Sequence, residues 1–139
     1  LSMRTLFIIP LVLMSLVSFP SWGLSQDDLV YREGIYYKKF TDVPFTGELN
    51  EGSLRGSFKD GRIEGYFEIY FLTRLTHRGF LSNGKKEGKH EIYHPNGQLF
   101  AKGNFKNDKQ DGMWFSYNDD GTVDLEFTGT YKNGVRVSD

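Results

Sequence analysis

One ten-residue pattern occurs three times in this chain, and each copy begins and ends with glycine. The copies run from Gly56 to Gly65, from Gly79 to Gly88 and from Gly103 to Gly112. Their second glycines are 23 and then 24 residues apart, a spacing typical of a repeat architecture rather than of an irregular globular domain. A fourth copy begins at Gly129.

The centre of each copy carries residues that favour a tight hairpin turn. They are Asp60-Gly61, Asn83-Gly84 and, less ideally, Asn107-Asp108. Such pairs tolerate the positive φ that a type I′ turn requires at both central positions. Each repeat is therefore predicted to be a β-hairpin. Counting outward from a two-residue turn predicts that the two glycines of each copy lie directly opposite each other: Gly56 with Gly65, Gly79 with Gly88, and Gly103 with Gly112.

Alternation along the predicted strands separates an apolar face from a polar one. The apolar, glycine-bearing face is expected to hold Leu54, Phe58, Ile63, Phe67, Ile69, Leu81, Ile92, Leu99, Ala101, Phe105 and Trp114. The opposite face carries charged residues, with Phe80, Phe100 and Phe115 as apolar exceptions. Because glycine leaves the backbone bare, the rings at the repeated slot of Phe67, His90 and Trp114 are expected to lie flat across the sheet.

A tyrosine follows the repeated ring position in every copy, at Tyr70, Tyr93 and Tyr117. The order glycine, one residue, ring and then tyrosine, with Asn-Gly or Asp-Gly turns between copies, resembles MORN-type repeats over roughly residues 31–134. The stretch from Tyr36 to Leu49 is similar to the opening of the bacterial variant known as YwqK family antitoxins. The resemblance implies tandem β-hairpins that serve as binding or scaffolding surfaces, and it adds an alternative function, neutralisation of a toxin by direct binding.

The first residues read as a secretory signal. Met3 and Arg4 provide a short positive start, Leu6 to Val17 is almost wholly apolar, and small residues follow. Cleavage is predicted after Gly23 or, alternatively, after Ser25. The rival interpretation is a retained anchor, but the apolar run is shorter than the ~20 residues that a spanning helix needs. We therefore expect an exported protein located in the periplasm, the cell envelope or the extracellular space.

Composition limits what the mature chain can be. Residues 24–139 are 116 residues, one domain's worth, and without Arg4 they carry 16 basic and 18 acidic residues, a net charge of −2. This balance gives no basic footprint for nucleic acid. No cysteine is present, so neither a disulfide nor a lipid-modified cysteine is expected. With 16% aromatic residues and no helical periodicity, the mature chain is predicted to be all-β.

The predicted architecture is an elongated, twisted antiparallel β-meander in a single layer. Residues 24–50 form a lead-in with two strands, over 29–40 and 45–49, which would cap the open edge of the first hairpin. Residues 51–139 form the hairpin repeats.

No catalytic constellation is visible in the sequence, so an enzyme is not expected, nor a cofactor. His77 is predicted to lie opposite His90, as two metal ligands might, but no third ligand is nearby and side-chain packing is the favoured interpretation. The acidic turn from Asn118 to Gly121 lacks the spaced ligands of a calcium loop. The repeated acids Glu64, Glu87 and Asp111 are interpreted as solvated strand charges.

The sequence thus predicts a non-enzymatic, exported module that holds a protein or an envelope lipid. The candidate partner-binding residues are Tyr70, Tyr93, Tyr117 and Phe115, since rows of exposed aromatic rings favour interfaces. The alternative is that the tyrosines pack against neighbouring Lys and Arg stems. A single sheet cannot fully bury its own apolar face, so self-association through a sheet edge or through that face is a further option.

Overall fold

The computed structural model of the protein describes residues 24–138 and shows an all-β fold. The strands are β1 (Leu29–Arg32), β2 (Ile35–Lys38), β3 (Gly47–Leu49), β4 (Leu54–Lys59), β5 (Arg62–Phe71), β6 (Arg74–Ser82), β7 (Lys85–Tyr93), β8 (Leu99–Lys106), β9 (Lys109–Ser116), β10 (Gly129–Lys132) and β11 (Val135–Ser138). Strands β3 to β11 form one antiparallel meander in chain order, and β1 pairs with β2 in a separate hairpin. This confirms the predicted fold class. The predicted signal segment lies outside the described residues, and within residues 24–138 no helix has the length and apolar character to cross a membrane.

The tight turns adopt the predicted geometry. Both central residues have positive φ in the turns centred on Asp60-Gly61, Asn83-Gly84 and Asn107-Asp108, as a type I′ turn requires. The residues that flank these turns pair as expected, for example Phe58 with Ile63 and Phe80 with Glu87. Turn chemistry therefore sets the register of each hairpin near its tip.

Further from the tip, the predicted glycine pairing is wrong. Gly56 lies opposite Phe67 instead of Gly65, because the register shifts between Gly56 and Phe58. The β6–β7 and β8–β9 hairpins show the same shift next to Gly79 and Gly103. In each hairpin one residue of the first strand faces three residues of the second, so a bulge sits where glycine was expected to face glycine. Because the bulge adds two residues, the assignment of side chains to faces survives.

The two glycines of each repeat serve different purposes. Gly65, Gly88 and Gly112 lie in the bulges at φ of 95°, 66° and 80°, and a Cβ at any of them would meet nothing within 4 Å. These glycines are required for backbone conformation. At Gly79, in contrast, a Cβ would lie 2.3 Å from Nδ1 of His90, and at Gly103 it would lie 2.3 Å from the Trp114 ring. These glycines are required for space.

Together the bulges build one row across seven strands in which glycine and a ring alternate. The row consists of Gly56, Phe67, Gly79, His90, Gly103, Trp114 and Gly129. His90 and Trp114 lie over glycine backbone, as predicted for the ring slot. His90 is fully buried, and Phe67 and Trp114 are each 3% exposed.

The lead-in covers the first end of this sheet, although not as two simple strands. The predicted strand over 29–40 is a hairpin, because Glu33 and Gly34 both take positive φ and reverse the chain. Strand β3 pairs with β4 and so occupies the edge that the lead-in was expected to cap. The buried residues here are Leu29, Phe45, Leu49, Leu54 and Phe58, with Tyr36 and Ile63 packed against them. The cluster in which the lead-in packs against the main sheet therefore lies at this end.

The two kinds of glycine should respond differently to substitution. Gly79→Ala forces the His90 ring out of place, and overpacking of this kind costs about 1–3 kcal/mol. A Cβ at position 88 would meet no atom within 4 Å, and asparagine tolerates positive φ. Gly88→Asn should therefore lower the free energy of unfolding by less than ~1 kcal/mol. Denaturant unfolding of both variants measures the difference. Equal losses, or a larger loss for Gly88→Asn, would contradict the roles assigned here.

The face assignment is tested by a second pair of variants. Trp114 is 3% exposed and its Nε1–H donates to the Asn104 carbonyl at 2.9 Å, so Trp114→Ala should cost about 3–5 kcal/mol. Lys109 is exposed on the opposite face, and Lys109→Ala should change stability by less than about 0.5 kcal/mol. Similar losses in thermal melts would mean that the faces are wrongly assigned.

Candidate functional site

The polar face carries a row of directly opposed residues that runs beside the glycine and ring row. Across strands β4 to β9 its members are Arg55, Glu68, Arg78, Glu91, Lys102 and Phe115. The first five alternate in charge, and opposite charges on directly opposed residues stabilise a sheet. We call this row the charge ladder. Phe115, one of the predicted binding residues, is its last member and stands where the earlier repeats have glutamate.

Glu91 is the most constrained member of the ladder. Its residue is only 8% exposed, which differs from the fully solvated face expected from the sequence. It accepts hydrogen bonds from Arg78 Nε, from the Tyr93 hydroxyl at 3.0 Å and from Lys89 Nζ at 3.0 Å. Burial raises the pKa of Glu91, but these three donors outweigh it and lower the pKa to about 2.

Two of the three predicted tyrosines, Tyr70 and Tyr93, contact this ladder. Tyr70 donates its hydroxyl to Glu68 at 2.9 Å and carries the Arg55 guanidinium 4.2 Å from its ring centre. Tyr93 donates to Glu91, and Arg78 lies 5.9 Å from its ring centre. Tyr70 and Tyr93 therefore pack against arginine side chains, as the alternative interpretation of the sequence predicted. All three tyrosines, including Tyr117, are half-buried.

The last ladder position differs from the first two. The Lys102 ammonium lies 5.5 Å from the ring centre of Phe115, whose residue is 38% exposed. A cation over an exposed ring replaces the ion pair of the other repeats. Phe115 therefore has a local partner in Lys102 and still offers ring surface to solvent.

Sequence reasoning missed the most exposed aromatic pair on this face. Tyr66 and Phe80 oppose each other across β5 and β6, with ring centroids 5.4 Å apart, and are 40% and 45% exposed. Together with Arg78, Lys89 and Glu91 they enclose a hollow of about 250 Å³. The available signal was Phe80 itself, an apolar residue at a polar-face position.

The repeated acids Glu64 and Glu87 have a structural role that the sequence interpretation did not include. Glu64 accepts a hydrogen bond from the backbone N–H of Asn83 at 2.9 Å, and Glu87 accepts one from Asn107 at 2.8 Å. Each carboxylate thus connects its own hairpin to the turn of the next. Asp111 is exposed.

His77 and His90 meet, although not as directly opposed residues. The bulge places His77 opposite Ile92, yet its Nε2 lies 3.1 Å from Nδ1 of His90. His90 Nε2 lies 2.9 Å from the Phe80 carbonyl, so we assign the proton to Nε2 and make Nδ1 the acceptor for the His77 N–H. Within residues 24–138 no group of three or more His, Cys, Asp or Glu residues could hold a metal ion.

Both histidines are held neutral by their surroundings. Burial, with smaller contributions from His90 and Lys86, lowers the pKa of His77 to about 4, and burial also lowers the pKa of His90. Phe67 and Phe105 pack edge-on against the His90 ring. His90 is therefore buried, and His77 is half-buried and packs against it and against Phe67, in agreement with the packing interpretation.

No family model matches this chain, and a comparison with curated proteins finds no match either. The likeness to MORN-type repeats therefore stays a resemblance of motifs.

Acid should destabilise the fold through the histidine pair. Because the folded pKa of His77 lies near 4 and the unfolded value near 6.5, its contribution is complete above pH 6.5 and is lost as the pH falls towards 4. With partial solvent access, the loss should be ~1–3 kcal/mol. Glu91, whose folded pKa is about 2, loses its contribution only at lower pH.

Chemical denaturation between pH 7 and 4.5 measures this effect. The double variant His77→Leu with His90→Phe is the control, because Leu54 and Phe67 occupy the same two slots in the first repeat. The control should show a flatter pH profile than the wild type. Parallel profiles would show that the histidine pair does not cause the acid sensitivity.

Proposed function

We propose that this protein is a non-enzymatic, exported module that binds a partner protein on the polar face of its sheet. The observation that carries the proposal is the exposed pair Tyr66 and Phe80 beside the hydrogen-bonded charge ladder. Export is supported by the apolar segment from Leu6 to Val17.

The rings on this face are held in place before any partner arrives. Glu68 accepts hydrogen bonds from Tyr66 at 2.8 Å and from Tyr70 at 2.9 Å, and Glu91 fixes Tyr93. Side chains ordered in advance lose less conformational entropy on binding than free ones. Aromatic residues and arginine are also the residue types most enriched at interface hot spots.

The charge pattern favours a protein over a lipid surface. Positive and negative residues alternate along the ladder, so the face presents no uniform positive field to attract anionic headgroups. A protein surface can match alternating charges pair by pair. An envelope lipid, which the sequence left as an equal option, is therefore the second choice.

Affinity capture from envelope extract with the mature chain as bait tests this function. Phe80→Ser should lose the captured protein, because it removes half of the exposed ring pair while the buried face is untouched. Phe40→Ser is the matched control, since Phe40 is fully exposed on the lead-in away from the ladder. Retention by Phe80→Ser, or equal loss in both variants, would contradict binding at this site.

A second double variant tests the tyrosine row. Tyr93→Ser with Tyr117→Ser should weaken capture if the row contributes contacts, whereas a lowered melting temperature with capture retained would make the row structural. Recovery of lipid instead of protein would favour the second choice. Recovery of a protein that is toxic when produced alone would support the antitoxin-like alternative.

A further inference from the structure

The hollow beside the exposed ring pair contains two cations and one acid. Its volume is about 250 Å³, and its charged lining residues are Arg78, Lys89 and Glu91. The side chains of Arg78 and Lys89 are 40% and 66% exposed, whereas that of Glu91 is only 11% exposed. The hollow therefore presents its positive groups to solvent and keeps its negative group largely covered.

A single carboxylate holds both cations. Glu91 Oε2 accepts a hydrogen bond from Arg78 Nε, and Glu91 Oε1 lies 3.0 Å from Lys89 Nζ. The two positive groups are thus fixed next to each other, although like charges repel. Because two cations share one acid, the lining of the hollow has one positive charge in excess.

The two cations also keep hydrogen-bond donors that Glu91 does not use. Arg78 donates to Glu91 through Nε, so its two Nη groups take no part in that bond. The Lys89 ammonium has three N–H donors and contacts one oxygen of Glu91. Hydrogen bonds from guanidinium and ammonium groups to a carboxylate are stronger than those between neutral groups. A second carboxylate would therefore find suitable donors here.

The other acids of the neighbouring strands are bound elsewhere. Glu68 lies opposite Arg78 on β5, but its two oxygens accept hydrogen bonds from tyrosine hydroxyls at 2.8 and 2.9 Å. Glu64 and Glu87 accept backbone N–H groups of the next turn at 2.9 and 2.8 Å. These carboxylates are thus already engaged in holding the sheet together.

The remaining acids of this face are further away. Glu48 on β3 and Asp111 on β9 are separated from Arg78 on β6 and Lys89 on β7 by at least two strand spacings. Two spacings correspond to about 10 Å, which is the screening length at moderate salt. Neither acid therefore neutralises the excess positive charge of the hollow.

We infer that the partner protein places an aspartate or glutamate in this hollow, next to an apolar side chain that covers the Tyr66 and Phe80 rings. The inference rests on the proposed function and specifies the chemistry of the partner. A carboxylate between Arg78 and Lys89 balances two cations with two acids. A cavity of roughly 150 Å³ holds benzene, so 250 Å³ has room for an acidic side chain. A lipid headgroup would offer the charge without an apolar group beside it.

An NMR titration of the purified full chain with two short peptides tests this preference. The probes are acetyl-Glu-Phe-amide and acetyl-Gln-Phe-amide, which differ only in the charge of one side chain. The glutamate peptide should shift the backbone amide signals of Phe80 and Lys89, and the glutamine peptide should bind at least ~10-fold more weakly. Added salt should weaken the glutamate peptide more. Equal affinities for the two peptides would overturn the inference.

Two lysine variants show whether the preference originates in the hollow. Lys89→Gln removes one cation and leaves the hydrogen bond between Arg78 and Glu91 in place, so it should bind the glutamate peptide about 10-fold more weakly. Lys106→Gln is the matched control, because Lys106 is an exposed lysine on the same face and outside the hollow. Unchanged affinity in Lys89→Gln, or equal losses in both variants, would contradict the assignment.

Affinity capture from envelope extract separates failure of this inference from failure of the proposed function. If Phe80→Ser loses the captured protein and Lys89→Gln retains it in full, the binding face is correct and the acidic contact is wrong. If Phe80→Ser also retains it, the binding face itself is wrong. Binding of phosphatidylglycerol vesicles that requires Lys89, without binding of the glutamate peptide, would assign the cations to a lipid phosphate and overturn the inference.

Discussion

The structure depends on a glycine at positive φ in the second strand of each hairpin. Gly65, Gly88 and Gly112 allow a bulge that moves the pairing on by two residues between the turn and the far end of the hairpin. Without this shift, the counted register would place glycine opposite glycine within each hairpin, and His90 and Trp114 would not lie over Gly79 and Gly103 of their own hairpins. With it, glycine and ring alternate from strand to strand, so a sheet with little material above it still buries large side chains.

The same shift organises the opposite face. Residues next to the ring row are Arg55, Glu68, Arg78, Glu91 and Lys102, and the register that brings rings over glycine also brings these charges into alternation. The carboxylates of Glu68 and Glu91 then accept hydrogen bonds from tyrosine hydroxyls, which compensate for their partial burial. The stability of the sheet and the order of its exposed rings thus have a common origin. The proposed binding surface needs no mobile loop, because its side chains are held by neighbouring strands.

The repeats are most informative where they differ. His90 replaces a ring that elsewhere is phenylalanine or tryptophan, and with His77 it introduces titratable nitrogens into the core. Phe115 replaces a glutamate of the ladder, and Phe71 with Leu72 replaces a polar turn. Residues that recur with the period maintain the sheet, whereas these departures have no such explanation. The histidine pair lies where acid sensitivity is expected, and Phe115 lies on the face where partner binding is proposed.

Several features of this protein were determined by the sequence alone, because they depend on local backbone preferences. Asp60-Gly61 and its counterparts specify type I′ turns, and strict alternation specifies which side chains share a face. The pairing of Gly56 with Phe67, the burial of Glu91 and the meeting of Tyr66 with Phe80 were decided only by the tertiary structure. A glycine at positive φ can be accommodated in a turn, a bulge or a strand end, and only the packing of rings from neighbouring strands selects the bulge. Once that choice is made, it sets which residues face each other beyond the turn of each hairpin, a pairing that counting along the local sequence cannot specify.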